Sequence, residues 1–341
     1  RVTSSTLPAE SGVPQGSILG LLLFVIFIND MFSCISEETK ITLYADDTKI
    51  WRDINVSNDH FILQNDIDKL QTWAVINKMK FHPSKCKALS VTNQQNILHN
   101  LPFTIFNYKL DSEYIDYVNS QNDLGVTVNN KLSWKEQCDK LVNKASSKLG
   151  LLMRTCHFTI DKKQKRTFYL TIVRSIFEHS SILWHPLSSN QIFSFDAIQK
   201  RAIKWILGQR FDHYSEDEYL NRQKELNILP IKLKFYLNEL VLFYKILYKL
   251  VAINLPNDFE FMDGNQLRYT RKTSAIINEQ DKTQIKCKIK TTSVNYRNFF
   301  FFRSMVVWNK IPYNIRQAPC ISTFKTGLVK YLWEAHNDWP D

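Results

Sequence analysis

Two adjacent carboxylates, Asp46 and Asp47, are the side chains whose spacing points most clearly to chemistry. They lie in the segment Ile41–Trp51, ITLYADDTKIW, where bulky apolar residues alternate with polar ones on either side of the acids. Alternation with a period of two is typical of β-strands, so the pair is expected at the tip of a tight β-hairpin. Adjacent carboxylates repel each other unless a cation lies between them, and Mg²⁺ prefers oxygen ligands. The pattern predicts a site for divalent metal ions. The alternative is a solvated turn, because aspartate is common in turns.

A second segment with chemical character lies upstream, at residues 11–20, SGVPQGSILG. Gly12 and Gly16 would let the backbone approach a ligand closely, and a turn shaped only by these glycines is the alternative. The apolar run Ile18–Ile28 predicts a helix with Ser17 as its N-cap. Because this run is almost continuously apolar, the helix is expected to be buried against a sheet.

The order and spacing of these segments, SGVPQGS followed by YADD, resemble the palm of reverse transcriptases. The resemblance is closest to those of non-LTR, LINE-like retrotransposons of the Jockey type. It implies an RNA-directed DNA polymerase that extends a DNA primer on an RNA template with dNTP, using two Mg²⁺ ions in the complete site. It also implies that Asp46 and Asp47 are the catalytic metal ligands. Contacts to the nucleotide and template are implied for Gly12, Pro14, Gln15, Gly16, Tyr44 and Ala45.

Two later segments extend the resemblance. Lys85 occupies a lysine position of the family, where it would protonate or stabilise the leaving pyrophosphate; a surface lysine beside a Pro-Ser turn is the alternative. Leu124 and Gly125, with the later Trp134, resemble the primer grip, a strand pair that holds the primer end. The sequence departs from the family pattern in places, including Asp123, which stands where the family often has an aromatic residue.

Charge is distributed unevenly along the 341 residues, whose net charge is +11. Residues 1–130 carry −4, residues 131–250 carry +10 and residues 251–341 carry +5. An acidic front that binds metal and a basic rear that binds phosphates suit a nucleic-acid polymerase, whereas a basic solvated surface without a partner is the alternative. Contacts to the nucleic-acid backbone are expected from Lys140, Lys144, Lys148, Lys162, Lys163, Lys165 and Arg166.

The expected fold class is α/β. Residues 1–130 are predicted to form an incomplete right-hand polymerase palm, made of the YADD β-hairpin and packing helices. Residues 131–253 are predicted to form a mostly α-helical thumb and connection region. Residues 254–341 are predicted to form a C-terminal region, with a polar linker at 254–295 and a final amphipathic helix, Ser322–Trp333.

Apolar residues at helical spacing predict the core faces of individual helices. In the helix after the hairpin these are Leu63, Ile67, Leu70 and Ala74, and in the helix after Trp134 they are Leu141, Ala145, Leu149 and Leu152. The consecutive phenylalanines 299–302 are expected in a core, because together they are too apolar to face water.

A two-metal site also needs a third carboxylate, which the resemblance places on an earlier palm strand. Residues 1–10 contain only Glu10, which does not fit that motif, and Asp30 follows the apolar helix rather than lying on a central strand. The chain is therefore expected to be a C-terminal part of a reverse transcriptase that lacks the fingers and the first catalytic strand, and to be inactive alone. The alternative function is a catalytically dead relic that acts only as a basic RNA-binding module.

The setting is expected to be intracellular, in the nucleus or in a cytoplasmic ribonucleoprotein. Six cysteines are scattered without a C-x-x-C pair, which favours a reducing compartment. Residues 1–17 show no secretory signal, and the apolar run 18–28 is too short to span a bilayer, so no membrane partner is expected. The sequence does not indicate an oligomeric state.

Overall fold

The computed structural model describes residues 16–92, 106–156, 160–184, 188–208, 215–262, 283–289 and 294–335. The chain divides into two compact units, one ending at Ser133 and the other beginning at Trp134. Both helices and strands are present, which agrees with the expected α/β class.

The first unit combines helices with short strands. Its elements are α1 (Ile18–Ile28), β1 (Lys40–Tyr44), β2 (Asp47–Trp51), α2 (Ser57–Ile76), β3 (Lys87–Ala88), β4 (Lys109–Leu110), β5 (Glu113–Tyr114), β6 (Asp116–Tyr117), β7 (Ser120–Asp123) and β8 (Val126–Asn129). The pairs β1/β2, β4/β5 and β7/β8 are antiparallel, and β3 pairs with β6 in parallel. Within the described residues the strands pair two by two instead of forming one larger sheet.

Helix α2 packs behind the β1/β2 hairpin. Its residues Leu70, Trp73 and Ala74 are buried in one cluster with half-buried side chains of the hairpin, including Ile41 and Ile50. The predicted face of this helix is confirmed, because Ile67, Leu70 and Ala74 are buried. The hairpin is thus supported from one side by an amphipathic helix.

Helix α1 begins and ends where the sequence predicted, and Ser17 caps it by accepting a hydrogen bond from the Gly20 backbone N–H (3.0 Å). The predicted burial of this helix is wrong for the described residues. Ile18 is 90% exposed and Leu21 is 70% exposed, and only Gly20 and Ile28 are buried. A continuous apolar run favours burial but does not specify the element that covers it, and no described part of the chain covers this one.

The second unit is mostly helical. Its elements are α3 (Lys135–Thr155), α4 (Lys162–Phe168), α5 (Ser175–Glu178), α6 (Ser181–Trp184), α7 (Ser189–Leu207), α8 (Glu216–Glu225), α9 (Ile231–Leu247), β9 (Phe259–Phe261), β10 (Ile285–Cys287), α10 (Val294–Arg297), α11 (Phe300–Trp308), α12 (Tyr313–Arg316) and α13 (Ile321–Glu334). A π-helical segment, Tyr169–Arg174, connects α4 to α5.

Two hydrophobic cores hold this unit together, and α9 contributes to both. Ile231 and Phe235 of α9 belong to a core built on α3 and α7, whereas Leu240 and Phe243 belong to a core that includes α11 and α13. The predicted face of α3 is confirmed, because Leu141, Ala145, Leu149 and Leu152 are all buried.

Within the polar segment 254–295 the described residues include two strands, and residues 263–282 and 290–293 lie outside the described residues. Residues 254–295 were predicted to form a linker, but Phe259 and Ile285 lie on the antiparallel strands β9 and β10 and are buried in the second core. Phenylalanines 300–302 pack against the same core, as predicted, whereas Phe299 is 44% exposed.

The final amphipathic helix is confirmed as α13. All six cysteines are free thiols. Among the helices in the described ranges, none combines the length and apolar character needed to cross a membrane.

Candidate active site

The predicted hairpin is confirmed, with Asp46 and Asp47 at its tip. In the antiparallel β1/β2 pair, Tyr44 lies opposite Asp47, so Ala45 and Asp46 form a two-residue connection. Ala45 has a φ of 51°, a conformation that tight hairpin turns require and that non-glycine residues seldom adopt. Such local strain is typical of sites where function fixes the backbone.

The two faces of the hairpin differ in character. Successive side chains of a strand point to opposite faces, so Ile41 and Ile50, which are paired, face the cluster on α2. Tyr44, Asp47 and Lys49 lie on the opposite, exposed face. Alternation thus directs the carboxylate of Asp47 to solvent, where a metal ion or a phosphate group has access.

No third acid joins this pair in the described part of the chain, where no group of three or more His, Cys, Asp or Glu side chains is arranged to hold a metal ion. Asp30 has a structural role, because its Oδ1 accepts a hydrogen bond from Nε1 of Trp73 (2.9 Å). Asp46 and Asp47 offer hard oxygen ligands of the kind that Mg²⁺ prefers.

A second hairpin, β7/β8, is joined to the first by an ion pair. Its turn consists of Leu124 and Gly125, with φ values of 48° and 84°. Asp123, the last residue of β7, forms an ion pair with Lys49 of β2. The structure therefore brings the turn predicted as a primer grip to the hairpin that carries the acids.

The ion pair between Lys49 and Asp123 was not predicted from the sequence. One signal is present in the sequence, since Asp123 departs from the family pattern. A departure alone does not identify a partner that is 74 residues away.

The remaining predicted site residues have different placements. Gly16 is exposed, has a φ of 85° and directly precedes the N-cap of α1. Lys85 is exposed in a 3₁₀ turn, Pro83–Lys85. Trp134 is half-buried against a core of the second unit. The predicted contact residues Gly12, Pro14 and Gln15 lie outside the described residues.

Three of the predicted basic contacts lie on one exposed side of α3. Lys140, Lys144 and Lys148 follow each other at intervals of four residues, and all three are exposed. Residues one turn apart on a helix lie on the same face, so these lysines form a ridge on the face next to the buried side of α3. This ridge is accessible to a polyanion.

The basic residues of α4 make contacts within the second unit. Lys162 pairs with Glu225 at 3.9 Å, and Nζ of Lys165 lies 5.7 Å from the ring centroid of Trp205. Arg166 donates hydrogen bonds to the backbone carbonyls of residues 226 and 227, at the end of α8. Lys163 is exposed.

Residues 1–148, which contain both hairpins, match the family described as reverse transcriptase (RNA-dependent DNA polymerase). Over this part, the chain is similar to reverse transcriptases. The resemblance seen in the motifs is thereby confirmed at the level of the family. No solved structure matches the chain.

The curated proteins to which the chain is similar come from mobile elements. The chain is 28% identical over 138 residues to an RNA-directed DNA polymerase from the mobile element jockey of Drosophila melanogaster, covering 38% of this chain and 14% of the relative. The jockey polymerase of Drosophila funebris is 28% identical over 173 residues, covering 48% of this chain and 18% of the relative.

A third relative is the probable RNA-directed DNA polymerase from transposon BS of Drosophila melanogaster. It is 23% identical over 208 residues, covering 58% of this chain and 22% of its own length. Each match therefore spans less than a quarter of the relative.

Proposed function

We propose that the first unit carries part of the polymerase site of a non-LTR retrotransposon reverse transcriptase. One observation carries this proposal: within a segment of the reverse transcriptase family, a tight hairpin presents Asp46 and Asp47 side by side on an exposed tip. Enzymes of this family are generally metal-dependent, and paired carboxylates are the ligands that such metal ions need.

Asp46 and Asp47 would hold Mg²⁺ in this site, with Asp46 as the principal ligand and Asp47 as its partner. When bound, two such ions neutralise charge on the attacking and leaving oxygens of the reaction. Lys85 acts on the leaving pyrophosphate as a proton donor or as a positive charge. Tyr44 and Ala45, which flank the acids, contact the nucleotide or the template.

The substrates of the proposed reaction are an RNA template, a DNA primer and dNTP. The turn of Leu124 and Gly125 holds the primer end beside the acids. The proposal is supported by the ion pair between Lys49 and Asp123, which joins β2 to the residue before this turn. The proposed location is intracellular, in the nucleus or in a cytoplasmic ribonucleoprotein.

We propose further that the chain alone does not extend a primer, because its described residues give the acid pair no third carboxylate. The test is primer extension by the purified 341-residue chain on an RNA template with Mg²⁺, alone and with Asp46→Asn. No extension by the wild type is expected. Extension that disappears in Asp46→Asn would contradict the proposed inactivity and show that another acid completes the site.

Metal binding tests the role of the acid pair independently of activity. We expect Asp46→Asn to weaken binding of Mn²⁺, measured by electron paramagnetic resonance, by at least tenfold, because a ligand charge is lost. Asp53→Asn is the matched control, since Asp53 is exposed and closely follows β2. Equal affinities of the wild type and Asp46→Asn would show that the pair holds no metal ion.

The ridge of Lys140, Lys144 and Lys148 on α3 favours a second candidate, a basic RNA-binding module without catalysis. Exposed lysines on one helix face suit contacts to a phosphate backbone and make binding salt-dependent. Under this candidate, Asp46→Asn leaves RNA affinity unchanged, and replacing the three lysines with alanine lowers it.

A further inference from the structure

Lys49 and Asp123 form an ion pair that joins the flanks of two turns. Lys49 lies two residues after Asp47 on β2, at a distance of about 7 Å along the strand, and its side chain points to the same face. Asp123 is paired with Val126 across the turn of the second hairpin, so it directly precedes Leu124. The pair therefore connects the strand that carries one catalytic acid with the turn predicted as a primer grip.

Both turns contain a residue other than glycine in the left-handed region. The φ of Ala45 is 51° and the φ of Leu124 is 48°. These conformations persist only where the surrounding structure holds them. The tips are themselves open to solvent, since Tyr44 is 66% exposed and Leu124 is 50% exposed. A contact beside each turn therefore limits the motion of backbone segments that are not held in place by packing.

We propose that Lys49 and Asp123 are positioning residues that fix the Leu124–Gly125 turn relative to Asp46 and Asp47. The consequence for DNA synthesis rests on the proposed function: a primer end held at one turn is delivered to the acids at the other. The mechanical connection between the two turns does not rest on it.

The strength of this connection is limited by its exposure. The side chains of Lys49 and Asp123 are 59% and 36% exposed, and such pairs contribute little to global stability. The expected effect is consequently local: loss of the ion pair makes the two turns less ordered. This effect weakens with salt.

Amide hydrogen exchange of the full 341-residue chain tests the connection. We expect Lys49→Glu and Asp123→Lys each to accelerate exchange at residues 44–48 and 122–127 by about two- to fivefold at low salt. The double variant, in which the charges are exchanged, is expected to return to within twofold of the wild type, as is Lys49→Arg. Lys40→Glu is the matched control, because Lys40 lies on the same face at the open end of the hairpin.

Two results would overturn the proposal. One is unchanged exchange in Lys49→Glu. The other is a double variant in which the effects of the two single changes add up without rescue. In 1 M NaCl the difference between the wild type and the single variants is expected to disappear, since the Debye length falls to about 3 Å.

A fluorescent primer separates this proposal from the proposed function. The probe is a DNA primer with 2-aminopurine at its 3′ end, annealed to RNA. Lys49→Glu is expected to change the fluorescence of the bound primer end, and the charge-exchanged variant to restore it. If amide hydrogen exchange confirms the connection between the turns but the fluorescence of the primer end is unaffected, the proposed positioning role in DNA synthesis is wrong. If the wild-type chain binds no primer and template, the proposed function fails while hydrogen exchange still decides the connection.

Discussion

At the scale of single residues, Asp66 shows how a buried acid organises the first unit. Asp66 is buried in α2; its Oδ1 accepts a hydrogen bond from the Ser36 backbone N–H (3.1 Å), and its Oδ2 accepts one from Ser36 Oγ (2.6 Å). Lys69 Nζ also donates to Oδ1 at 3.1 Å. Burial raises the pKa of Asp66, but these hydrogen bonds outweigh burial and hold the pKa below its ordinary value.

This arrangement predicts a specific acid sensitivity. A carboxyl group whose pKa is lower in the folded state stabilises the fold above its unfolded pKa, and this stabilisation is lost as the pH falls through the folded value. We expect the free energy of unfolding of the first unit to decrease as the pH falls below 3.8, the ordinary value for aspartate. Urea titrations at several pH values measure it.

The matched variants are Asp66→Asn and Ser36→Ala. Asp66→Asn is expected to lower stability at pH 7 and to flatten this part of the pH profile, and Ser36→Ala to give an intermediate profile. A profile for Asp66→Asn that is parallel to the wild type would rule out Asp66 as its source.

Residue types predicted some contacts and not others. Asp46 and Asp47 could be placed at a hairpin tip because a period of two is local information. The pairing of Lys49 with Asp123 was not predictable, since it depends on how two separate hairpins pack. Asp66 was missed for the same reason: an acid in a helical pattern looks solvated until its distant hydrogen-bond donors are known.

At the scale of elements, α1 leaves an apolar surface exposed within the described structure. Leu22 is 55% exposed and Ile26 is 62% exposed, and they lie one turn apart on one side. Exposed apolar patches promote association and bind hydrophobic dyes. The double variant Leu22→Lys with Ile26→Lys is therefore expected to reduce fluorescence of the dye ANS and self-association by light scattering, with little change in stability.

The control for this prediction is Ile28→Lys. Ile28 is only 5% exposed, so a lysine there buries an unpaired charge and is expected to destabilise the first unit by about 3 kcal/mol or more. A large loss of stability in the double variant would instead mean that the α1 surface is covered in solution.

A buried charge pair connects α9 with α11 in the second unit. Glu239, which is 1% exposed, accepts hydrogen bonds from Nε of Arg303 (2.9 Å) and from Oγ of Ser304 (2.6 Å). Arg303 also donates to the carbonyl of Ile182 at 2.7 Å. The hydrogen bonds of this pair thus link three helices, α6, α9 and α11.

Removing one partner leaves the other charge buried without compensation. We expect Glu239→Ala to lower the free energy of unfolding of the second unit by about 3–5 kcal/mol, measured by chemical denaturation. Glu334→Ala, at an exposed position in α13, serves as the control and is expected to change it by less than about 0.5 kcal/mol. A similar small change for Glu239→Ala would show that the pair is solvated.

Helices were more predictable than their surroundings. The buried faces of α2 and α3 can be predicted from apolar spacing. The exposure of α1 and the formation of strands β9 and β10 cannot. In the latter case a polar segment contains two short apolar stretches, around Phe259 and Ile285, that become buried only by pairing with each other and with α11. Pairings of this kind between distant segments are not encoded in local composition.

At the scale of the whole molecule, the chain consists of two compact units, and the second has its own two cores. We expect a fragment of residues 134–341 to fold alone, with circular dichroism of a helical protein and cooperative thermal unfolding. A fragment of residues 254–341 is expected to remain unfolded, because the core around α11 and α13 needs Leu240 and Phe243 of α9. Cooperative unfolding of the shorter fragment would contradict this assignment of the core.

The shared helix α9 has a consequence for how this chain tolerates change. Its 17 residues span about 25 Å and form a single rigid rod that contributes Ile231 and Phe235 to one core and Leu233, Leu240 and Phe243 to the other. A substitution at Phe235 that shifts the helix axis therefore also displaces Phe243. A packing defect in one core thus disturbs the packing of the other. Mutations in the two cores are expected to be epistatic, and sequence drift at one end of the rod to require compensation at the other.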